Sequence, residues 1–435
     1  IEEILDRIAR ETGLPPEVVR ERNLYHGSGE TNTTHYGQEI EDNRIEQVWH
    51  DLRNSSDLSA RRVEIAAWNA ASPHRKRGIA MTPVKFGISF TNTMLNQAGA
   101  LVLIYTDGSV QVNHGGTEMG QGINTNIMAI AARALGVAAE KIRVMSTATD
   151  KVPNTSATAA SSGTDMNGMA VKDACDQIVA RLRPVAAEML SSKTGQTCGA
   201  NDVEFRDGRV FRVDHPGEHL EFHEVAHKAW MQRVSLAATG YYRTPEIHWD
   251  RVAGQGHPFY YFAVGAAVSE VEVDGFTGEL QVRRVDILQD VGTSINEGIN
   301  RGQVEGGFVQ GMGWLTAEEL VWNREGKLLT HSPDTYKIPA VGDVPRDFHV
   351  RLLEDAPNPK RTIHRSKAVG EPPFMLAISV REAIRDAVAA FGPGGRQVRL
   401  ASPATGEAIF RAIREQRLPQ TKSVPEDAVP RGILV

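Results

Sequence analysis

Cysteine is nearly absent: 435 residues carry two, Cys175 and Cys198. Two thiols exclude a cysteine-ligated iron–sulfur cluster and a disulfide scaffold within this chain. Both are expected to be buried filler, in keeping with a reducing, cytoplasmic setting. Long hydrophobic runs are missing as well. None approaches the roughly 20 apolar residues that span a bilayer, so no membrane association is expected. No basic stripe with interleaved aromatics is present and the net charge is −6, which argues against nucleic-acid binding. The start, Ile1-Glu2-Glu3-Ile4-Leu5, has neither a signal peptide nor an initiator, and reads as beginning partway through a larger protein. A Gly-x-Ser-x-Gly elbow and a Walker A loop are also missing.

What is present is an ordinary globular composition on a chain too long for one compact core. Residues 1–22 predict a helix, a break at 13–16 and a second short helix from Glu17. An amphipathic helical stretch follows over 38–69, and residues 72–78 read as a basic, solvated connector. Together, 1–78 form a helical lead-in. A first lobe is expected over 79–245. It holds a strand at 84–90, a hairpin of 98–105 with 110–112 around Asp107-Gly108, a helix from Asn124 to Leu135 stopped by Gly136, and a short strand at 141–145. A helix over 166–189, interrupted at Pro184, and another over 218–230 complete it. A second lobe over 246–415 holds a strand pair (259–273, 278–289), a helix from Gly302, a hairpin (320–323, 327–329), a strand at 348–353 and a helix after Glu371. An extended tail covers 416–435. Hairpins interspersed with helices predict an α+β fold of two mixed lobes, not a doubly wound parallel sheet.

Several stretches carry candidate chemistry. Glu371, followed by Pro372 and Pro373, sits at a helix start, because proline suits the first helical turn and disfavours the α region in the residue before it. It is either a charge that complements the helix dipole or a presented general base. The Gly-rich turn 115–122 is either a tight turn or a backbone cradle for an anion at the next helix start, with Gln121 adding an amide suited to a heterocycle edge. The hydroxyl-rich run 155–163 is a helix lead-in or a ligand wall. Gly302 to Gly311 is a packing surface or a second wall. Phe90 and Thr91 offer an aromatic face beside a hydroxyl. A rival is His223-Glu224-Val225-Ala226-His227, a His-Glu-x-x-His whose two imidazoles would share a helix face with His219 one turn earlier. That is either a zinc hydrolase site or the polar face of a surface helix.

Taken together and in order, Lys85-Phe86-Gly87-Ile88-Ser89-Phe90-Thr91, Leu95 to Ala100, His114 to Gly122, Val152-Pro153-Asn154-Thr155-Ser156 with Thr158-Ala159-Ala160-Ser161, Gly302 to Gly306, Tyr336 to Ala340 and Ser366 to Pro373 resemble the C-terminal part of the molybdopterin-binding subunit of the xanthine dehydrogenase family. The resemblance covers nearly the whole chain and does not include the His-Glu-x-x-His, which then reads as coincidence. The aldehyde oxidases of the family are similar but lack the paired prolines after Gly-Glu and the Phe-Thr pair, so this chain resembles the purine-oxidising branch.

The resemblance implies a role for each matching residue. Glu371 would be the base that activates a molybdenum-bound hydroxyl. Phe90 would stack on the purine and Thr91 would hydrogen-bond a substrate oxygen, while Ala159 and Ala160 would line the metal centre. Met119, Gly120, Gln121, Ser161 and Gln303 would hold the molybdopterin, and no protein side chain would ligate the metal. Both lobes would bind this cofactor. Hypoxanthine and xanthine would be hydroxylated with water as oxygen source, and electrons would pass to 2Fe-2S clusters and FAD on other domains or chains, in a dimer of protomers. The N-terminal half of the molybdenum subunit is expected as a further partner. An aldehyde or other N-heterocycle hydroxylase, a zinc hydrolase and a non-catalytic scaffold subunit are the competing readings.

Overall fold

The computed structural model describes residues 1–418 apart from Ser28, Val152, Pro153, Ala160 and Gly394. The expected role of Ala160, part of the 152–156 motif and the tail beyond Leu418 lie outside the described residues.

The lead-in forms α1 (Glu2–Thr12), α2 (Pro16–Arg22), α3 (Ile45–Ser55) and α4 (Leu58–Ala71). Val48, Trp49 and Leu52 place one stripe of α3 in a core shared with Met81, Val264 and Val268, the spacing of an amphipathic helix. The basic stretch is not a connector. Strand β1 (Arg75–Ile88) begins inside it. Arg77 stands opposite Glu272 in the ladder, with Nε 3.1 Å from the Glu272 carboxylate, and Arg75 reaches the same carboxylate at 3.3 Å. A cross-strand acid thus accounts for a charge run that looks solvated in one dimension.

Next come β2 (Gln97–Ile104), β3 (Val110–His114), α5 (Ile123–Leu135) and β4 (Ile142–Val144). The hairpin and helix fall where expected, and Gly136 closes α5 at φ 66°, a left-handed cap that suits glycine. Strand β4 runs parallel to β3, so not every pairing is a hairpin. Helix α6 (Gly163–Thr194) passes through Pro184 without a break. Leu182, Val185, Ala186 and Leu190 lie in one hydrophobic cluster, and that packing on both sides of the proline outweighs its lost hydrogen bond.

Strands β5 (Val203–Arg206), β6 (Arg209–Arg212) and β7 (His215–Glu221) precede α7 (Phe222–Met231). The predicted helix over 218–230 therefore starts late. Glu224 accepts the Glu221 N–H at 2.8 Å, an N-terminal cap that fixes the boundary. His219 lies on a strand opposite Phe211, off the helix face of His223 and His227. Strand β8 (Ala237–Arg243) completes a sheet of order β4–β3–β2–β8.

After β9 (His248–Asp250) and β10 (Gln255–His257), the chain forms β11 (Tyr261–Asp274), β12 (Leu280–Gln289), α8 (Glu297–Thr316) and β13 (Asp347–Leu352). Asn296 caps α8 by accepting the Ile299 N–H at 3.1 Å, which starts the helix before Gly302. The expected hairpin near 320–329 reduces to a single bridge, Trp322 with Leu328. Helices α9 (Pro372–Leu376), α10 (Ile378–Ala389) and α11 (Gly406–Arg417) follow; the last was not anticipated.

The second sheet has the order β1–β11–β12–β13. Strand β1, expected over 84–90 in the first lobe, belongs here, paired with β11 along its whole length from Arg75–Asp274 to Ile88–Tyr261. Helix α10 packs on this sheet with Ile384 and Ala387 in its core. At Gly78 a Cβ would stand 2.1 Å from the Ala383 carbonyl, so the helix crosses the strand on bare backbone. The α+β class holds, with two mixed sheets and helices between and around them. No helix among the described residues is long and apolar enough to cross a membrane.

Candidate active site

Glu371 ends a tethered loop. Lys367 N–H donates to Val291 O at 2.8 Å, and its Nζ lies 2.7 Å from Asp290 and 3.1 Å from Asp42. The Ala368 N–H donates to the Tyr261 hydroxyl at 2.8 Å. Glu371 itself caps α9 with φ −94° and ψ −33°. The following proline does not force it out of the helical region; the Phe374 N–H donates to its carbonyl at 3.0 Å and holds it there. Its side chain is exposed, and Oε2 accepts a hydrogen bond from Ser161 Oγ. A residue from the lead-in to α6 therefore meets one from the loop before α9.

Around that contact lies an open cleft of about 410 Å³, lined by Tyr36, Lys85, Phe86, Phe90, Phe259 and Phe262 together with Ser161, Ser162 and Glu371. The wall is aromatic, suited to a flat apolar face with polar edges. Phe90 is positioned by Asn96, which accepts the Phe90 N–H at 2.7 Å and donates to its carbonyl at 2.9 Å. Thr91 is exposed and stands outside this lining. Lys85 Nζ sits 4.5 Å from the Tyr25 ring centroid and 4.8 Å from that of Phe262; burial pulls its pKa down to about 8.

A small polar cavity of about 40 Å³ adjoins the cleft through Ser161. Gln121, Ser161 and Gln303 converge on it, with Asn126, Asp165 and Asn300. The last three escaped the sequence reading: an Asn inside a helix and an Asp in a first turn look structural. Met119 and Gly120 are exposed and, like Ala159, stand outside both linings. Nor is the start of α5 free for an anion. The Glu118 carboxylate takes the N–H groups of Gly120, Gly122 and Asn124, each at 3.0 Å. Gln121 Nε2 donates to Thr117 O at 2.8 Å, so its amide braces the turn.

The rest of the cavity fits a polar guest. Asn126 Oδ1 and, in the cleft, Ser162 Oγ are buried without a partner among the described residues. Such groups are normally satisfied, and a polar ligand would satisfy them. The His-Glu-x-x-His gathers nothing comparable. Glu224 is engaged as a cap, and no group of three metal-binding side chains occurs among the described residues. Cys175 and Cys198 are buried and unpaired, as expected.

Residues 51–345 match the molybdopterin cofactor-binding domain family. Xanthine dehydrogenase/oxidase of Gallus gallus is 45% identical over 408 residues, covering 93% of this chain and 28% of that protein. The chain belongs to the xanthine dehydrogenase family. Within that family it corresponds to the molybdopterin-binding part, and molybdopterin is its cofactor. Xanthine dehydrogenase of Oryza sativa subsp. japonica is 44% identical over 393 residues, 89% of this chain and 26% of that protein. The chain thus spans little more than a quarter of these relatives. Quinoline 2-oxidoreductase from Pseudomonas putida 86 shares the fold with a TM-score of 0.80 at 27% identity, over 95% of this chain and 51% of that one.

Proposed function

We propose that this chain provides the proton-accepting carboxylate, an aromatic substrate wall and part of the cofactor cavity of a molybdenum hydroxylase that acts on a purine. The observation that carries the reading is the meeting of Glu371 with Ser161 where the aromatic cleft adjoins the polar cavity. Molybdopterin, when bound, supplies the centre that accepts the two electrons of the oxidation. Gln121, Ser161 and Gln303, with Met119 and Gly120 from the neighbouring turn, would hold it, and the unpartnered Asn126 Oδ1 adds an acceptor. Ala159 would line the metal centre.

Glu371 acts as general base. Ser161 occupies Oε2, which leaves Oε1 to take the proton from the attacking oxygen of water origin. Phe90 stacks on the ring and Thr91 donates to a substrate oxygen once the substrate is bound. The chain works with iron–sulfur and FAD modules that carry electrons away, and with the remainder of the molybdenum subunit, in a cytoplasmic dimer.

The test is xanthine turnover by the complete enzyme, wild type beside Glu371→Ala, with molybdenum content measured in both. Loss of a general base lowers the rate about 10²–10⁴-fold; a variant that keeps its metal and its full rate overturns the role. The likeness to a quinoline oxidoreductase favours a second reading, hydroxylation of another N-heterocycle. A wild type that turns over quinoline and ignores hypoxanthine and xanthine decides for it.

A further inference from the structure

Tyr261 opens β11 and is buried beside Asp165 in the first turn of α6. Its hydroxyl donates to Asp165 Oδ2 and accepts the Ala368 N–H at 2.8 Å. Asp165 follows Ser161 by one helical turn, and Ala368 precedes Glu371 by three residues. These links form a closed ring: Ser161 to Glu371, back along the chain to Ala368, across to the Tyr261 hydroxyl, on to Asp165, and along the chain to Ser161. Each side of the Ser161–Glu371 contact is thus pinned to one phenol oxygen.

We propose that Asp165 and Tyr261 are positioning residues for Glu371, holding its loop in register with the lead-in to α6. The assignment rests on the catalytic reading of Glu371. Neither residue lines the cleft, and of the two only Asp165 lines the polar cavity, so their action on Glu371 is indirect. The bonds themselves are demanding. A buried phenol that donates to a carboxyl and accepts a backbone N–H has both its ordinary hydrogen-bonding roles filled. Removing the hydroxyl leaves a buried N–H and a buried carboxyl oxygen unmatched at once. The groups facing Asp165 are Tyr261 from β11, Tyr260 just before it, Tyr242 from β8 and the Ser366 hydroxyl. Among the described residues, the one cation that lines the same cavity, Lys367, is committed to Asp290 and Asp42. A neutral carboxyl suits that setting, and burial pushes the Asp165 pKa up to about 7.

The experiment compares Tyr261→Phe and Asp165→Asn in the complete enzyme by steady-state kinetics per molybdenum and by amide hydrogen exchange of residues 366–371. Tyr261→Phe should lower kcat about tenfold or more with KM nearly unchanged, since displacement of a catalytic group by about 1 Å can lose 10²-fold. It should also speed exchange in 366–371 while molybdenum and pterin content stay at the wild-type level. Asp165→Asn keeps an acceptor for the phenol and should retain the exchange protection of residues 366–371; Asp165 also lines the polar cavity, so protection and not rate is the readout for this variant. Unchanged exchange in Tyr261→Phe overturns the proposal, whatever happens to the rate. Unchanged kcat in that variant overturns it too, showing that the ring orders the loop without serving Glu371. If wild type turns over no purine, the substrate assignment fails, while the exchange comparison and turnover of another N-heterocycle still decide the positioning role.

Discussion

Lys367 and Asp290 form an ion pair at 2.7 Å with side chains 1% and 0% exposed. The end of β12 and the loop that leads to Glu371 are locked together out of reach of water. Breaking such a pair on one side strands the other charge, which costs about 3–5 kcal/mol. Lys367→Met should therefore lower the unfolding free energy of the enzyme by about 3 kcal/mol, the low end because Arg44 also approaches Asp290 at 3.6 Å. Denaturant titration checks this, and Lys367→Met with Asp290→Asn should recover much of the loss. If the single variant is as stable as wild type, the loop is held by its backbone bonds alone.

Gly78 gives a test of the crossing of α10 over β1. A methyl group there meets the Ala383 carbonyl at 2.1 Å and the Ala387 nitrogen at 2.3 Å, and backbone atoms cannot swing aside as a side chain can. Gly78→Ala should destabilise by about 1–3 kcal/mol, the usual range for overpacking. Thermal unfolding measures it. Gly302, with nothing within 4 Å of its would-be Cβ, is the control that should tolerate alanine.

The pH dependence of stability should report Asp165. Its carboxyl is raised from the ordinary 3.8 to about 7, chiefly by burial. The folded state keeps this proton up to about pH 7, whereas the unfolded chain releases it near pH 4. The stabilising contribution is complete below the unfolded value and is lost as pH rises through about 7. Unfolding curves between pH 5 and 8, wild type minus Asp165→Asn, should show this loss as a slope that the variant lacks. Parallel curves would mean that Asp165 titrates alike in both states.

The sequence is informative where local chemistry and tertiary environment agree. The Asp107-Gly108 hairpin, the Gly136 cap and the helices after Pro372 carry their own signals, and the resemblance points to Glu371 and to the Ser161, Gln121 and Gln303 that gather beside it. It is silent where distant partners decide. Arg75 and Arg77 look like a solvated linker until Glu272 faces them across the sheet. His219 looks helical until the capping of α7 moves the boundary. Tyr261 sits in a run of strand-forming apolar residues and Asp165 in an ordinary first turn. Nothing local distinguishes them, because their importance comes from bonds across 96 and 107 residues of chain.

Ile88 and Tyr261 are cross-strand neighbours at the end of the β1–β11 ladder. Everything between them, the whole first sheet and α6 included, leaves and re-enters the molecule at a single rung. The first lobe is therefore an insertion in the second. Its return must wait for the closure of a very long loop, a slow step in folding because non-local pairing fixes the chain before many contacts can reward it. Phe90 stands at the exit of that doorway, Tyr261 at its entrance, and the lead-in to α6 reaches back to it. Changes of length at the far turns of the insertion leave this threshold where it is, so the outer parts of the lobe can vary while the site keeps its shape.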